Sequence, residues 1–200
     1  MTKTTKEKRI STLGHSVESI FTGINPKRHQ PWAGQTEPVA LINVKDIQDG
    51  AIADVGFLQS LELPAGSQID RYRVILGDVL VTARGNPRVA PVREGHVGCL
   101  AGPNIIVIRP ASMVDPALVQ AFLQHAETQT TLSRESVGTT VPTLTVKAVS
   151  ELKLSIPALE EQQKLARLVY LADSQLRSVR RAAELRRLLA QELVMRTMTP

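Results

Sequence analysis

Two hundred residues, 42% of them apolar, are enough for one domain, or one domain plus an appended element, around a real core. Aromatic residues make up only 3%, which argues against a base-stacking platform for single strands, and Cys99 is the sole cysteine, which excludes an internal disulfide or a cysteine-based zinc cluster. The formal charge of +5 permits an anionic partner and is unevenly spread: Arg71, Arg73, Arg84, Arg88, Arg93 and Arg109 face only Asp78 and Glu94 in the centre, net +4, and residues 160–200 carry eight basic against five acidic groups, net +3.

The opening "MTKTTKEKRI" is a basic lead-in with no apolar segment of a secretory signal behind it. No run approaches the ~18 apolar residues of a membrane span, so a soluble, cytoplasmic chain without membrane contact is expected. "STLGHSVESIFTG" predicts a short helix capped by Ser11 or Thr12 and closed at Gly23. "INPKRHQPWAGQTEP", with three prolines and a basic cluster, predicts an exposed loop. "VALINV" predicts a strand and "KDIQDG" a turn. From Val74 to Pro110, β-branched runs broken by Gly-Asp, Gly-Asn-Pro, Glu-Gly and Gly-Pro predict several short strands of a twisted sheet.

"DPALVQAFLQHAETQTTL" predicts a helix capped by Asp115, with Pro116 at its first position and Leu118, Phe122, Leu123 and Ala126 on one apolar face. "SRESVGTTVPTLT" predicts a polar loop, "VKAVSEL" a short helix and "LKLSIP" a last strand ended by Pro157. Beyond it the chain has neither Gly nor Pro up to Met195, and Glu160 and Glu161 suit a first helical turn. A helix of roughly 35 residues, about 50 Å long, follows. Its apolar positions Leu165, Leu168, Val169, Ala172, Leu176, Val179 and Ala183 recur at helical spacing and then shift to Leu185, Leu188, Leu189 and Leu193. No second long helix in the chain can cover that stripe, so it calls for a partner, with packing on the chain's own domain expected only in the first two turns.

In order, "STLGHSVESIFTG", "VALINVKDIQDGAI", "LGDVLVTARGN", "NIIVIRP" and "VGTTVPTLTVKAVSELKLSIPALEEQQKLARL" resemble the DNA specificity subunits of type I restriction-modification systems. The departures are His15, where Asp is usual, and a single proline in "IPALEEQ". The resemblance implies an α+β fold: a target-recognition domain built on a mixed twisted sheet over 1–157, then a long spacer helix over 158–200. Family members usually carry two such domains and two spacer helices, so one of each implies a half-subunit that pairs with itself or with a second half.

It also implies double-stranded DNA as partner, together with a modification methyltransferase and a restriction subunit. S-adenosylmethionine, ATP and magnesium are expected in those subunits, with no cofactor or metal in this chain. Such a domain must neutralise phosphates and present donors and acceptors to base edges. Arg84, Asn86 and Arg88, with Arg93 nearby, suit guanine and adenine edges. Lys27 and Arg28, beside His29 and Gln30, suit phosphates. Arg134, Thr139 and Thr140 flank Gly138, and Arg71 and Arg73 alternate around Tyr72 as if on one face of an extended segment. Trp32 and Cys99 read as packed residues. In the helix, Leu165, Leu168, Ala172, Leu176, Val179, Ala183, Leu188 and Leu193 form the expected seam. Arg180, Arg181, Arg186 and Arg187 form a charge cluster open either to solvent or to a methyltransferase subunit.

Two other classes compete. A stand-alone homodimeric DNA-binding regulator would share the basic loops and the helix. A metal-dependent nuclease could use Glu151, Lys153 and Asp115. Glu-x-Lys is common by chance, however, and Asp115 is explained as a cap. The four histidines show no metal-ligand spacing, so a non-catalytic chain is expected.

Overall fold

A computed structural model describes residues 10–26, 36–64, 69–138 and 141–198. Strands fill most of the first two thirds: β1 (Ile10–Thr12), then the single-turn helix α1 (Leu13–Ser16), then β2 (Val17–Thr22), β3 (Thr36–Ile42), β4 (Ile47–Gln48), β5 (Ala51–Ile52), β6 (Gln59–Pro64), β7 (Val79–Thr82), β8 (Val89–Pro91), β9 (Leu100–Ala101) and β10 (Ile105–Pro110). Helices follow: α2 (Pro116–Gln124), α3 (Ala126–Glu135) and α4 (Val146–Ser150), then β11 (Lys153–Ser155) and the 40-residue α5 (Leu159–Met198). The fold is α+β with one long C-terminal helix, as its patterning predicts.

The main sheet is antiparallel in the order β2-β10-β7-β8. Every side chain of β7 is buried, and so are Ile105 to Ile108 of β10, which is why these strands read as unbroken apolar runs. Their period of two still divides the core. Val79, Val81, Ile106 and Ile108 face α1 to α4 through Leu13, Val119, Leu123, Leu132 and Val149. Leu80, Ile105 and Val107 face the opposite layer through Ile42, Ile47, Val74 and Cys99. That layer contains a three-stranded sheet, β6-β3-β9, in which β9 runs parallel to β3.

Local chemistry explains several elements. The β4–β5 hairpin turns at Asp49 and Gly50, both at positive φ (51° and 76°), the Asp-Gly signature of a tight hairpin. Asp115 Oδ1 accepts from the Ala117 amide at 2.9 Å and Pro116 opens α2, as expected of a cap and first position. β1 pairs with β11, and the Leu13 amide donates to the Leu152 carbonyl, tying the start of the domain to the strand that precedes α5.

Several expectations are corrected. "STLGHSVESIFTG" is mainly strand: the helix is one turn, and Thr12 Oγ1 just before it shares a hydrogen bond of 2.6 Å with His15 Nδ1. Gly23 closes no helix; a Cβ there would lie 2.2 Å from the Gly102 carbonyl oxygen, so a side chain has no room where β2 passes that backbone. The predicted Asp115 helix is two helices joined at His125, whose extended backbone breaks the run. On α2 the buried residues are Val119, Gln120 and Leu123, with Phe122 partly buried, and Ala126 is exposed.

Asp78 is fully buried just after Gly77. Its carboxylate takes Arg109 in a two-pronged pair, Nε to Oδ1 and Nη2 to Oδ2, both 2.9 Å, and also accepts from the Ile75 amide at 2.9 Å. This bond to Asp78 raises the Arg109 guanidinium above its ordinary pKa. Arg109, counted in the central basic segment, is thus neutralised inside the fold. Asp78→Ala leaves a largely buried arginine unpaired and should cost about 3–5 kcal/mol, read as a lower urea midpoint.

Candidate nucleic-acid interface

The turn after β7 and the loop after α3 come together. The Gly85 amide donates to the Pro142 carbonyl (3.2 Å), the Leu144 amide to the Ala83 carbonyl (2.7 Å), and Arg84 is bridged to Thr143. Val137 and Thr143 exchange two backbone bonds of 2.9 and 2.8 Å, closing the second loop on itself around Gly138, whose φ of 115° suits glycine. Arg84 and Asn86 are exposed on the resulting platform, and Arg134 is exposed in the last turn of α3, which leads into it. Val137 and Val141 are exposed there too, at 68% and 48%. They were not singled out from the sequence, although two valines in a polar Gly-Thr loop are the kind of group that meets a thymine methyl.

The other basic candidates divide. Arg88 is half-buried and its Nη2 donates to the Val44 carbonyl at 2.7 Å, bracing the turn against the loop after β3. Arg73 is likewise engaged, with Asp70 Oδ1 and the Gly98 carbonyl, both at 2.9 Å. Residues 70–72 form a turn of 3-10 helix, so Arg71 and Arg73 do not share an extended face. Arg71 is exposed, stacked over the Tyr72 ring at 4.7 Å, and lines a concavity along the edge strand β2 with Ser19, Phe21, Thr22 and Arg109. Lys27, Arg28, His29, Gln30, Trp32, Thr139 and Thr140 lie outside the described residues.

Glu151 and Lys153 line a concavity with Glu127 and Glu135, Glu151 pairs with Lys147 (3.8 Å), and Asp115 is not part of that lining. Asp115 is occupied as a cap, Glu151 is exposed, and among the described residues no group of three or more His, Cys, Asp and Glu side chains is placed to hold a metal. Cys99 is buried, which pushes its thiol up and away from reactivity. Among the described residues no helix is long and apolar enough to cross a membrane.

At 40 residues α5 is about 60 Å long. It rests on the domain well beyond the two turns expected. Gln162, only 3% exposed, donates to the Met113 and Pro157 carbonyls (3.1 and 3.0 Å) and accepts from the Asp115 amide (3.0 Å). Ala166 is buried, Gln120 Nε2 donates to Asp173 Oδ2 at 2.8 Å, and Arg180 Nη1 donates to the Asp49 carbonyl at the hairpin tip at 2.7 Å. This face is mostly polar. About a quarter turn round the helix, an apolar stripe is bare: Leu165, Leu168, Leu176 and Val179 are 37% to 64% exposed, with Ala172 and Ala183 exposed between them, and Leu188 and Leu193, on faces shifted from that stripe, are 46% and 56% exposed. In the predicted charge cluster, Arg180 reaches Asp49 and Arg187 pairs with Glu184 (2.7 Å), while Arg181 and Arg186 are exposed.

The family model for the type I restriction modification DNA specificity domain matches residues 67–184, more than half of the chain. The chain belongs to that family. The match takes in both platform loops, from Arg84 to Thr143, and most of α5. The EcoBI specificity subunit of Escherichia coli, a type I restriction enzyme, is 28% identical over 141 residues, which are 70% of this chain and 30% of that protein. The solved HsdS subunit of Thermoanaerobacter tengcongensis has a similar fold, with TM-score 0.62 and 22% identity over 94% of this chain and 47% of that one. The S subunit of M. genitalium gives 0.57 and 15%, over 96% and 46%. This specificity-family chain spans less than half the length of each.

The two kinds of arginine should separate in stability. Arg88→Ala should cost about 1.5–3 kcal/mol by removing a charged bond to a carbonyl, whereas Arg84→Ala should be neutral to within about 0.5 kcal/mol in denaturant unfolding.

Proposed function

We propose that this chain is a non-catalytic DNA-reading unit of a type I restriction-modification complex that recognises one half of a split target. In this reading residues 1–157 form the reading domain. Residues 158–200 form a ruler helix that pairs with the same helix of a second copy. The pair then directs modification methyltransferase and restriction subunits, which would hold S-adenosylmethionine, ATP and magnesium. Arg84 and Asn86 address base edges, Arg71 and Arg134 address phosphates, and Arg73 and Arg88 hold the turns that carry them.

The observation that carries this reading is the division of α5. One face is engaged with the chain's own domain, and the apolar stripe from Leu165 to Leu193 is uncovered. Such a stripe wants a helix with the same pattern. A two-fold pair of readers predicts a palindromic target with a fixed gap, because protein symmetry is mirrored in DNA. The small side chains Ala172 and Ala183 in the seam would let two backbones approach closely.

Leu176→Glu places a charge in the seam and should convert dimers to monomers; equal sedimentation of mutant and wild type would count against the pairing. Arg84→Ala should weaken binding or relax specificity at one position by about 1–3 kcal/mol. Mapping methylated bases genome-wide, in cells with and without the chain, tests the whole reading. The expected result is a split motif methylated only when the chain is present. A chain that binds DNA as a dimer yet directs no methylation would be a stand-alone regulator instead.

A further inference from the structure

The bare stripe of α5 carries two polar residues where it should be apolar. In a straight helix Leu193 lies about 80° round from Leu165, because each seven-residue spacing falls about 20° short of two full turns. A left-handed supercoil of paired helices, at about 3.5 residues per turn, removes that drift. The seam positions of α5 then follow at sevens: Leu165, Ala172, Val179, Arg186 and Leu193, with Leu168, Gln175, Ala182, Leu189 and Arg196 between them. Arg196 pairs with Glu192 near the end of the helix at 3.0 Å. Gln175 and Arg186 are exposed and have no hydrogen-bonding or ionic partner among the described residues.

We propose that two copies of α5 pair antiparallel in the one register that sets Gln175 opposite Arg186 of the second copy, and that these two polar residues thereby fix the gap between the half-sites. The proposal rests on the reading of the chain as one half of a paired, split-site reader. A parallel pair would set each Arg186 against its own copy, charge against like charge. The antiparallel register centres the pair between residues 180 and 181, and the other layers follow from it. Val179 faces Ala182, Ala172 faces Leu189 and Leu168 faces Leu193, so large side chains meet small or equal ones. Leu165 faces Arg196, whose stem can cover it while the head stays with Glu192. In the one polar layer inside the seam, a guanidinium donates to an amide oxygen. Sliding one copy by a heptad breaks the match in either direction: Arg186 then faces Leu168 or Ala182, and Gln175 faces Val179 or Leu193. Polar seam residues reject wrong registers in this way. A slip of one heptad moves a copy by about 10.5 Å, or about three base steps, so the register decides the gap.

A spin label at Gln191→Cys, an exposed position, reads the register; Cys99 is buried and stays unlabelled. Along the helix axis the two labels of a dimer should stand about 32 Å apart, against about 42 or 21 Å after a slip of one heptad and nearly zero in a parallel pair. The same lateral offset adds to each antiparallel value. Gln175→Lys puts like charges in contact and should weaken the dimer on the order of tenfold in sedimentation. Adding Arg186→Glu to the same chain should restore both affinity and label spacing, which also shows that the Lys variant folds. Within one helix the two positions lie about 16.5 Å apart, so such a rescue passes between copies. Gln175→Leu with Arg186→Leu makes the seam apolar there; the dimer should persist and its single label spacing should be lost.

Selection of duplexes from a randomised library then reads the gap. The parent should select one gap, and the double leucine variant the same half-sites at gaps that differ by about three base pairs. A parent dimer with another label spacing, no rescue of Gln175→Lys by Arg186→Glu, or one spacing and one gap in the double leucine variant would overturn the proposal. A parent that sediments as a monomer would defeat the pairing and this register together, leaving the seam to a helix of another subunit. A parent that pairs in this register but selects no split motif would instead defeat the split-site reading and the gap consequence, while the label spacing and the charge rescue would still establish the register.

Discussion

A helix about 60 Å long attached to a domain of this size cannot bury its apolar stripe on that domain and still project from it. α5 meets that constraint by splitting its circumference. Gln162, Ala166, Asp173 and Arg180, recurring at helical spacing, face the domain and are polar or small. The leucines are exposed and belong to none of the domain's core clusters, although Leu176 also edges the seam with the domain. Had the leucines faced the domain, the helix would have been an ordinary packed element. Because the polar face does, the helix is held by directional bonds and its hydrophobic area stays exposed. Exposed apolar surface on this scale is costly for a lone molecule and is the usual mark of an interface.

The domain shows the same economy of charge. Of six arginines in the central basic segment, Arg73, Arg88 and Arg109 bond to carbonyls or carboxylates of the fold, and Arg93 lies in the seam with α5. Only Arg71 and Arg84 of that segment are exposed. A planar guanidinium with five donors suits this internal bracing, since it can bind a carboxylate and a carbonyl at once. The net charge of the segment therefore overstates its electrostatic reach toward DNA. The candidate surface depends instead on a few side chains carried by two loops that are bonded to each other.

Much of this was legible in the letters. Short central strands, the Asp115 cap with Pro116, the turn in "KDIQDG" and a long α5 all follow from local pattern, and each is found where pattern puts it. What escaped is non-local. Nothing near Arg88 announces the Val44 carbonyl, 44 positions away, and nothing near Arg180 announces Asp49. Val17 to Thr22 mixes polar and apolar residues in a way that fits a short helix, and its pairing with β10 makes it the strand β2 instead. The union of the Arg84 turn with the 137–143 loop is of the same kind: each carries residue types suited to DNA, and only the backbone bonds between them make one platform.

Gln162 shows how a family pattern and a physical duty can coincide without the sequence revealing which is which. "EEQ" reads as a good first turn, with acids at the dipole end and a polar residue facing water. In the fold the glutamine points inward, and its amide makes three hydrogen bonds, to Met113, Asp115 and Pro157. It bonds the first turn of α5 to the residues just before α2 and to the proline that ends the last strand. A carboxylate there would face two carbonyl oxygens, and an apolar residue would leave the Asp115 amide without its partner. The start of the helix is thus fixed by a side chain that must both donate and accept, and a glutamine amide can do so while neutral.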